Sequence, residues 1–413
     1  MFDKSYIPTK PFNDFKWKWA CLQCTEGIND PVVLLGVLFR MRKLEGKYKF
    51  SSDEFAQEMV DLSTDIKDSV GVDLARRTGE RNLIRNSGQY WKAVGLIPKD
   101  NRGLIQLTEF GRRVADRDIS QTEFSAITIQ TFKLPNPAIQ SADECLRWES
   151  SSLIIYPLRI ILNTILELHK RGQGYLTTNE LTKIIIPLSA NHATIDDYIN
   201  FVTWHRAGEV SLDAWPNCCP EANDFRIARE FLLFLENYGF INKIGGTTRG
   251  DEKYYLNTLL YDEIIEILST PITDTSLKTA VEQIRTTNVA SEVERKKVQG
   301  TYRPNQASFR KAVLGACNRC VITNVTMPEV LEAAHIKPFK YKGEDTVANG
   351  FAMRTDIHLL FDAGHLRISP DGIVELSNRA RMDYGATIPP RIVIPDFTNK
   401  EFLRWRWDNY NGI

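Results

Sequence analysis

The chain has 413 residues, 43% hydrophobic and 25% charged, proportions of a soluble globular protein with two to four domains, not of a disordered or fibrous one. Its 52 basic and 52 acidic residues cancel, which argues against indiscriminate coating of nucleic acid. No run of 18 apolar residues suggests a transmembrane helix, no secretory leader pattern opens the sequence, and seven scattered Cys suit a reducing cytoplasm, so a cytoplasmic protein without a membrane partner is expected.

The first stretch carries Trp17, Trp19 and the pair Cys21-x-x-Cys24. One such pair without a second nearby is better read as buried small hydrophobes than as a zinc site. Pro31 to Leu44 reads as a helix, with Asp30 as its cap and Pro31 in its first turn. Ser52 to Leu62 reads as a second helix. From Asp73 to Arg113 there are nine Lys/Arg against four Asp/Glu, a local basic excess in a neutral chain. This segment is helical in period through Trp91. Two short apolar runs then flank a Lys-Asp-Asn-Arg-Gly turn, which is a hairpin signal. Thr108 starts a further helix.

Helix, helix, hairpin is the order of a winged helix, in which one helix enters the major groove and the wing touches the backbone. Arg76, Arg77, Arg81, Asn82, Arg85 and Gln89 are of the types that read purine edges or hold phosphates, and Lys99 and Arg102 lie on the wing. After a Pro-broken connector, Ser152 to Arg171 reads as a long apolar helix ended by Gly172 and Gly174. Thr177 to Leu188, with a Thr cap, and Ile195 to Trp204 are the next helices. The first two form a helix-turn-helix or a packing hairpin. Residues 224–259 then repeat the earlier order of helix, Gly, apolar strand, basic turn and apolar strand, giving a second winged-helix-like unit with Lys243 and Arg249 on its wing. Residues 270–305 are polar and charged and read as a linker carrying Arg295, Lys296 and Lys297.

The last quarter carries the chemistry. Residues 330–336 (VLEAAHI) suit a strand, 343–350 a Gly-punctuated loop, and Asp356 to Phe361 a helix start with Asp356 as cap. His335, Asn349, His358 and Asp362 follow one another across that order. The string EAAHIKP…NGFAMRTDIHLLFDAGHLRI resembles the restriction-type branch of the HNH nucleases, whose ββα-metal site cuts phosphodiester bonds. The resemblance implies that His335 is the general base, that Asn349 ties down the loop and orients it, and that His358 binds a divalent metal, Mg²⁺ or Mn²⁺. An imidazole has the pKa to deprotonate water near neutral pH. Asp362, one helical turn after His358, is placed to add an oxygen ligand. Ala334 stands where many members carry a further ligand, and Glu332, on the same side of the strand, is its candidate substitute. Lys337 and Arg354 are expected to approach phosphate. Cys317 and Cys320 lack a second Cys pair beyond them, so structural zinc is not expected. LRISPDGIVELSN reads as a hairpin turning at Pro370-Asp371-Gly372, and the aromatic, basic Phe402 to Tyr410 as a docking surface for this domain.

The N-terminal landmarks Gln89-Tyr90-Trp91-Lys92, Leu107-Thr108-Glu109-Phe110-Gly111, Ile155-Tyr156-Pro157-Leu158 and Tyr238-Gly239-Phe240-Ile241 are similar to the recognition part of type IIS and nicking restriction endonucleases. The expected protein is α+β and multidomain. A mostly helical, tandem winged-helix-like half (1–150 and 151–269) precedes a linker (270–305) and a small ββα-metal nuclease domain (306–413). The expected partner is double-stranded DNA, with a homodimer where both strands are cut. A sequence-specific restriction endonuclease is the first expectation. The alternatives are a modification-dependent or phage-defence nuclease, and a winged-helix regulator whose nuclease domain is inactive.

Overall fold

The computed structural model describes residues 1–20, 22, 24, 27–70, 83–245, 250–270, 306–338 and 341–409. The chain is α+β, with many helices and three small antiparallel sheets among these residues. It forms two compact units that interleave along the sequence. The first comprises Met1–Glu26, Arg85–Gly95 and Ala126–Ser276, and the second comprises Gly27–Ile84, Leu96–Ser125 and Leu277–Ile413. The consecutive segments expected from sequence cut the chain at different places. No described helix is long and apolar enough to cross a membrane.

Helix α1 (Pro31–Leu44) opens as its residues dictate. Asp30 accepts from the Val32 amide at 3.1 Å, and Arg42 and Lys43 face the negative end of the helix dipole. Helix α2 (Asp53–Val70) starts where Ser52 accepts from the Phe55 amide. The two approach closely at Gly36, where an added Cβ would sit 2.8 Å from Leu62. Helix α3 (Leu83–Ala93) buries Tyr90 and Trp91.

The expected first hairpin does not form. Residues 94–107 contain no paired strand of their own. Ile105 and Leu107 are buried, and the chain satisfies its amides elsewhere: Ile105 exchanges bonds with Gly46 and Tyr48, Lys49 bridges Leu104, and the Thr108 amide reaches the Leu96 carbonyl. The turn itself is real, since Asn101 accepts from the Gly103 amide. Thr108 then caps α4 (Glu109–Ala115), followed by α5 (Gln121–Thr131) and α6 (Ala142–Ser150).

Helix α7 (Pro157–Lys170) begins later than its apolar pattern suggests, because Leu134 and Ile155 exchange backbone bonds and hold the approach extended. Strand β1 (Tyr175–Thr177) leads into a helical run, residues 178–189, through a Thr177–Glu180 capping box. Helices α8 (Ile195–Arg206) and α9 (Ala222–Asn237) follow. Strands β2 (Ile241–Ile244) and β3 (Lys253–Leu256) form the expected second hairpin, and β1 adds to β3, giving the order β1-β3-β2. Helix α10 (Tyr261–Ser269) closes this unit. The readings at Cys21, Tyr410, Arg295, Lys296 and Lys297 lie outside the described residues.

The end of the chain folds back on α1. Helix α11 (Gln306–Ala316) packs against an antiparallel pair, β4 (Leu331–His335) and β5 (Gly350–Arg354), with His335 opposite Gly350. Helix α12 (Thr355–Asp362) crosses the other face. Its cap position is Arg354, not Asp356, which lies inside the first turn. Strands β6 (Leu366–Ile368) and β7 (Val374–Leu376) form the expected hairpin, with Gly372 at φ +81° in its turn. Helix α13 (Lys400–Asn409) lies against β6.

Candidate active site

Strand alternation assigns two faces to β4. Ala333 packs with Phe309 and Val313 of α11, and the His335 ring stacks on Phe309 with centroids 3.8 Å apart and planes 16° from parallel. On the opposite face, Ala334 is fully buried with Phe351, Ile357 and Phe361. Glu332 lies on that face too, nearer the start of the strand, and α12 covers both. The site is therefore a strand end bearing one His and a helix bearing the other.

Asn349 is fully buried and acts as a staple. Its carbonyl oxygen accepts from the Lys337 amide at 2.8 Å, and its Nδ2 donates to the carbonyls of Lys337 and Glu344, each at 2.9 Å. The loop between the strands is thus tied at both ends by one side chain. His335 is held by this loop as well, with Nε2 2.8 Å from Oδ1 of Asp345.

His358 has a carboxylate on each ring nitrogen. Nδ1 is 3.1 Å from Oε2 of Glu332, and Nε2 is 3.1 Å from Oδ2 of Asp362. Burial by itself would favour the neutral ring. Asp362 and then Glu332 outweigh it and raise the His358 pKa to about 10. Burial likewise opposes the Asp362 charge, but His358 and then Arg406 bring that carboxyl down to about 2. The remaining Glu332 oxygen accepts from the Gln121 amide at 3.0 Å, and Thr122 Oγ lies 3.3 Å from Asp362. Arg406 of α13 is buried, donates to the carbonyls of His335, Ile336 and Phe361, and stands 3.7 Å from Asp362.

The donor set can be tested against a divalent ion. Two ligands about 2.1 Å from one ion, in adjacent positions, lie roughly 3 Å apart. His358 Nε2 and Asp362 Oδ2 have that spacing, so this pair fits. Glu332 sits on the other ring nitrogen, where a carboxylate orients a ligating imidazole. Ala334 offers no oxygen. Among the described residues no group of three or more His, Cys, Asp or Glu is disposed to hold a metal by itself.

The structure thus brings together Glu332, His358 and Asp362, and sets His335, beside the loop that Asn349 ties, on the other face of the strand end, within electrostatic reach of Asp362. It does not bring Arg354 to them as an available cation: Arg354 is buried and grips Asp356 through Nε at 2.6 Å and Nη2 at 2.8 Å. Lys337 lies over the Trp405 ring at 5.1 Å. Lys99 and Arg102 are exposed in the second unit, and Gln89 is exposed on α3 in the first. Lys243, on β2, is 3.8 Å from Glu236. Arg76, Arg77, Arg81, Asn82 and Arg249 lie outside the described residues, as does the side chain of Arg85. Asp345, Phe309, Gln121, Thr122 and Arg406 were missed from sequence. Only Asp345 had a local signal, an acidic residue inside the loop between the two His-bearing elements.

A strand pair crossed by a helix, with His on each and Asn between, defines an HNH-type site. Residues 320–369 match the HNH endonuclease family, so the chain carries an HNH endonuclease domain. A search of curated proteins finds no match. Among solved structures, the chain is similar to the BpuJ1 endonuclease binding domain, described in complex with pyrene- and phenanthrene-modified DNA. The identity is 13%, the TM-score 0.44, and the alignment covers 67% of this chain and 97% of that one.

Proposed function

We propose that this protein is a metal-dependent endonuclease that cleaves double-stranded DNA, and that it acts as a sequence-specific restriction enzyme. The observation that carries the reading is the placement of His335 and the His358–Asp362 pair on the two elements of an HNH domain, with Asn349 stapling the loop between them. His335 takes the proton from the attacking water. His358 Nε2 and Asp362 are the residues that would hold Mg²⁺ or Mn²⁺, and Glu332 fixes the ring from behind. A bound divalent ion supplies charge stabilisation for the phosphate and the departing oxygen. With two protein donors, the rest of the ion's shell falls to water and DNA oxygens, which suits Mg²⁺, an ion that keeps several waters.

Selectivity is assigned to the first unit. Its helices and β1-β3-β2 sheet support a winged-helix reading, in which Lys243 would sit at the wing and Gln89, exposed on α3, would face the duplex. Lys99 and Arg102, in the second unit, would add phosphate contacts. One site per chain cuts one strand, so a double-strand break calls for two copies, and an isologous homodimer would suit a palindromic target. The protein would act in the cytoplasm. A regulator with an inactive nuclease domain is the second reading, and the buried Ala334 is the observation that favours it.

The test uses purified protein with methylated and unmethylated plasmid and Mg²⁺ or Mn²⁺. Discrete fragments that disappear with His335→Ala are the expected result. Tight duplex binding without cleavage would establish the regulator instead. An unbanded smear would indicate a nuclease without sequence choice, and cutting confined to methylated plasmid a modification-dependent one.

A further inference from the structure

We propose that Asp345 is a positioning residue for His335, and that Asn349 acts on the base through it. This rests on the nuclease reading above. The imidazole is fixed on two sides: its face lies on Phe309, and its Nε2 edge meets Asp345 Oδ1 at 2.8 Å. Both partners of that bond are nearly buried, with side chains 10% and 11% exposed, so solvent weakens it little.

The loop is built to deliver this carboxylate. Asn349 Nδ2 holds the carbonyl of Glu344, the residue directly before Asp345. Two residues before Asp345, Gly343 donates to the Pro338 carbonyl. A Cβ on Gly343 would fall 1.8 Å from the Lys337 carbonyl oxygen and 2.9 Å from Asn349 Nδ2, so only glycine permits the close approach. The staple, the glycine and the carboxylate are consecutive parts of one support that ends at His335 Nε2.

The chemistry follows from the tautomer. When Nε2–H donates to Asp345, the ring's lone pair lies on Nδ1. The proton leaving the attacking water then goes to Nδ1. The ring becomes an imidazolium whose Nε2–H still faces the carboxylate, and the water oxygen is left to attack phosphorus. A fixed carboxylate both selects that tautomer and stabilises the cation formed.

The experiment uses the full chain. Asp345→Ala is expected to lower kcat by about 100-fold while KM for DNA stays within about twofold. Asp345→Asn, which can still accept from Nε2–H, should recover about a tenth of the wild-type rate. In a His335→Ala background, Asp345→Ala should cause no further loss. Wild-type kcat in Asp345→Ala, or an equal loss with and without His335, would overturn the proposal. A second readout does not depend on cleavage. Nitrogen NMR of ¹⁵N-histidine protein, with the signal assigned by its loss in His335→Ala, should show His335 protonated on Nε2 and a mixture of tautomers in Asp345→Ala. An unchanged signal would overturn the positioning role even if the protein cuts DNA. If wild type cuts nothing, the nuclease reading fails and this spectrum alone decides the proposal.

Discussion

At His358, one ring faces two carboxylates inside a buried site, so its proton is part of what holds the metal-free fold together. The direction with pH follows from the two shifts. His358 is raised from its ordinary 6.5 to about 10, so its stabilisation is complete below about pH 6.5 and is lost as pH rises through about 10. Asp362 is lowered from 3.8 to about 2, so its contribution is present above about pH 4 and is lost as pH falls through about 2. Chelated protein should therefore show a falling urea midpoint from about pH 6.5 upward. His358→Gln should be less stable at neutral pH and should lack most of that alkaline decline. Equal declines in the two proteins would show that the ring's proton is not what the carboxylates hold. At this scale the sequence was legible where spacing was local. His335, Asn349 and His358 sit within 24 residues and could be placed on a strand, a loop end and a helix. In sequence, Glu332 reads as a substitute for the ligand absent at Ala334. Its geometry shows something that spacing could not, since only the folded strand reveals which ring nitrogen it meets.

Among the elements, the last helix does more for the site than its aromatic composition suggested. Arg406 is 1% exposed, lies 3.5 Å from the Phe361 ring centroid, and donates to carbonyls at the end of β4 and on α12. It therefore ties the strand end that bears His335 to the helix that bears His358. Removing its guanidinium strands several buried carbonyls and takes a cation from beside Asp362. Arg406→Ala should cost about 3–5 kcal/mol in unfolding free energy. Arg406→Lys should recover only part of that, because an ammonium cannot fork between strand and helix. Calorimetry checks both, and a loss under about 1 kcal/mol for Arg406→Ala would contradict the tie. The expected docking role of this helix agrees with its packing, with Leu403 buried and Trp405 against Tyr341. Two other elements were harder to read. Strand β5 is buried along its whole length, so Gly350–Arg354 has no alternation to betray it. The first hairpin failed for the opposite reason. Its turn chemistry is genuine, but its flanking runs bond to Gly46, Tyr48 and Lys49, and no local pattern reports a partner so far back along the chain.

At the scale of the molecule, the nuclease site is completed by chain far outside the matched segment. Within the second unit, Arg40 of α1 pairs with Glu329 at 3.2 Å, the Gln121 amide holds Glu332, and Arg310 bonds the Asp118 carbonyl and Glu123. Each of these joins a residue before position 126 to one after position 305, and helix α1 also packs on α12. In sequence, 306–413 reads as a domain that follows a recognition half. Composition supports that division, because the polar 270–305 stretch looks like a boundary, yet composition cannot show that the chain before it has already supplied part of the same compact unit. A fragment of residues 306–413 should lack the partners of Glu329, Glu332 and Arg310 and expose the surface against which α1 packs. It should show no cooperative thermal transition and no cleavage under conditions in which the full chain melts cooperatively and cuts. A fragment that melts sharply and cleaves at the full-chain rate would instead establish 306–413 as self-sufficient, with the earlier helices only resting on it. The expected dependence gives the interleaving a consequence: the cutting site is assembled only when both ends of the second unit are present, so a truncated chain that loses the early helices also loses its nuclease.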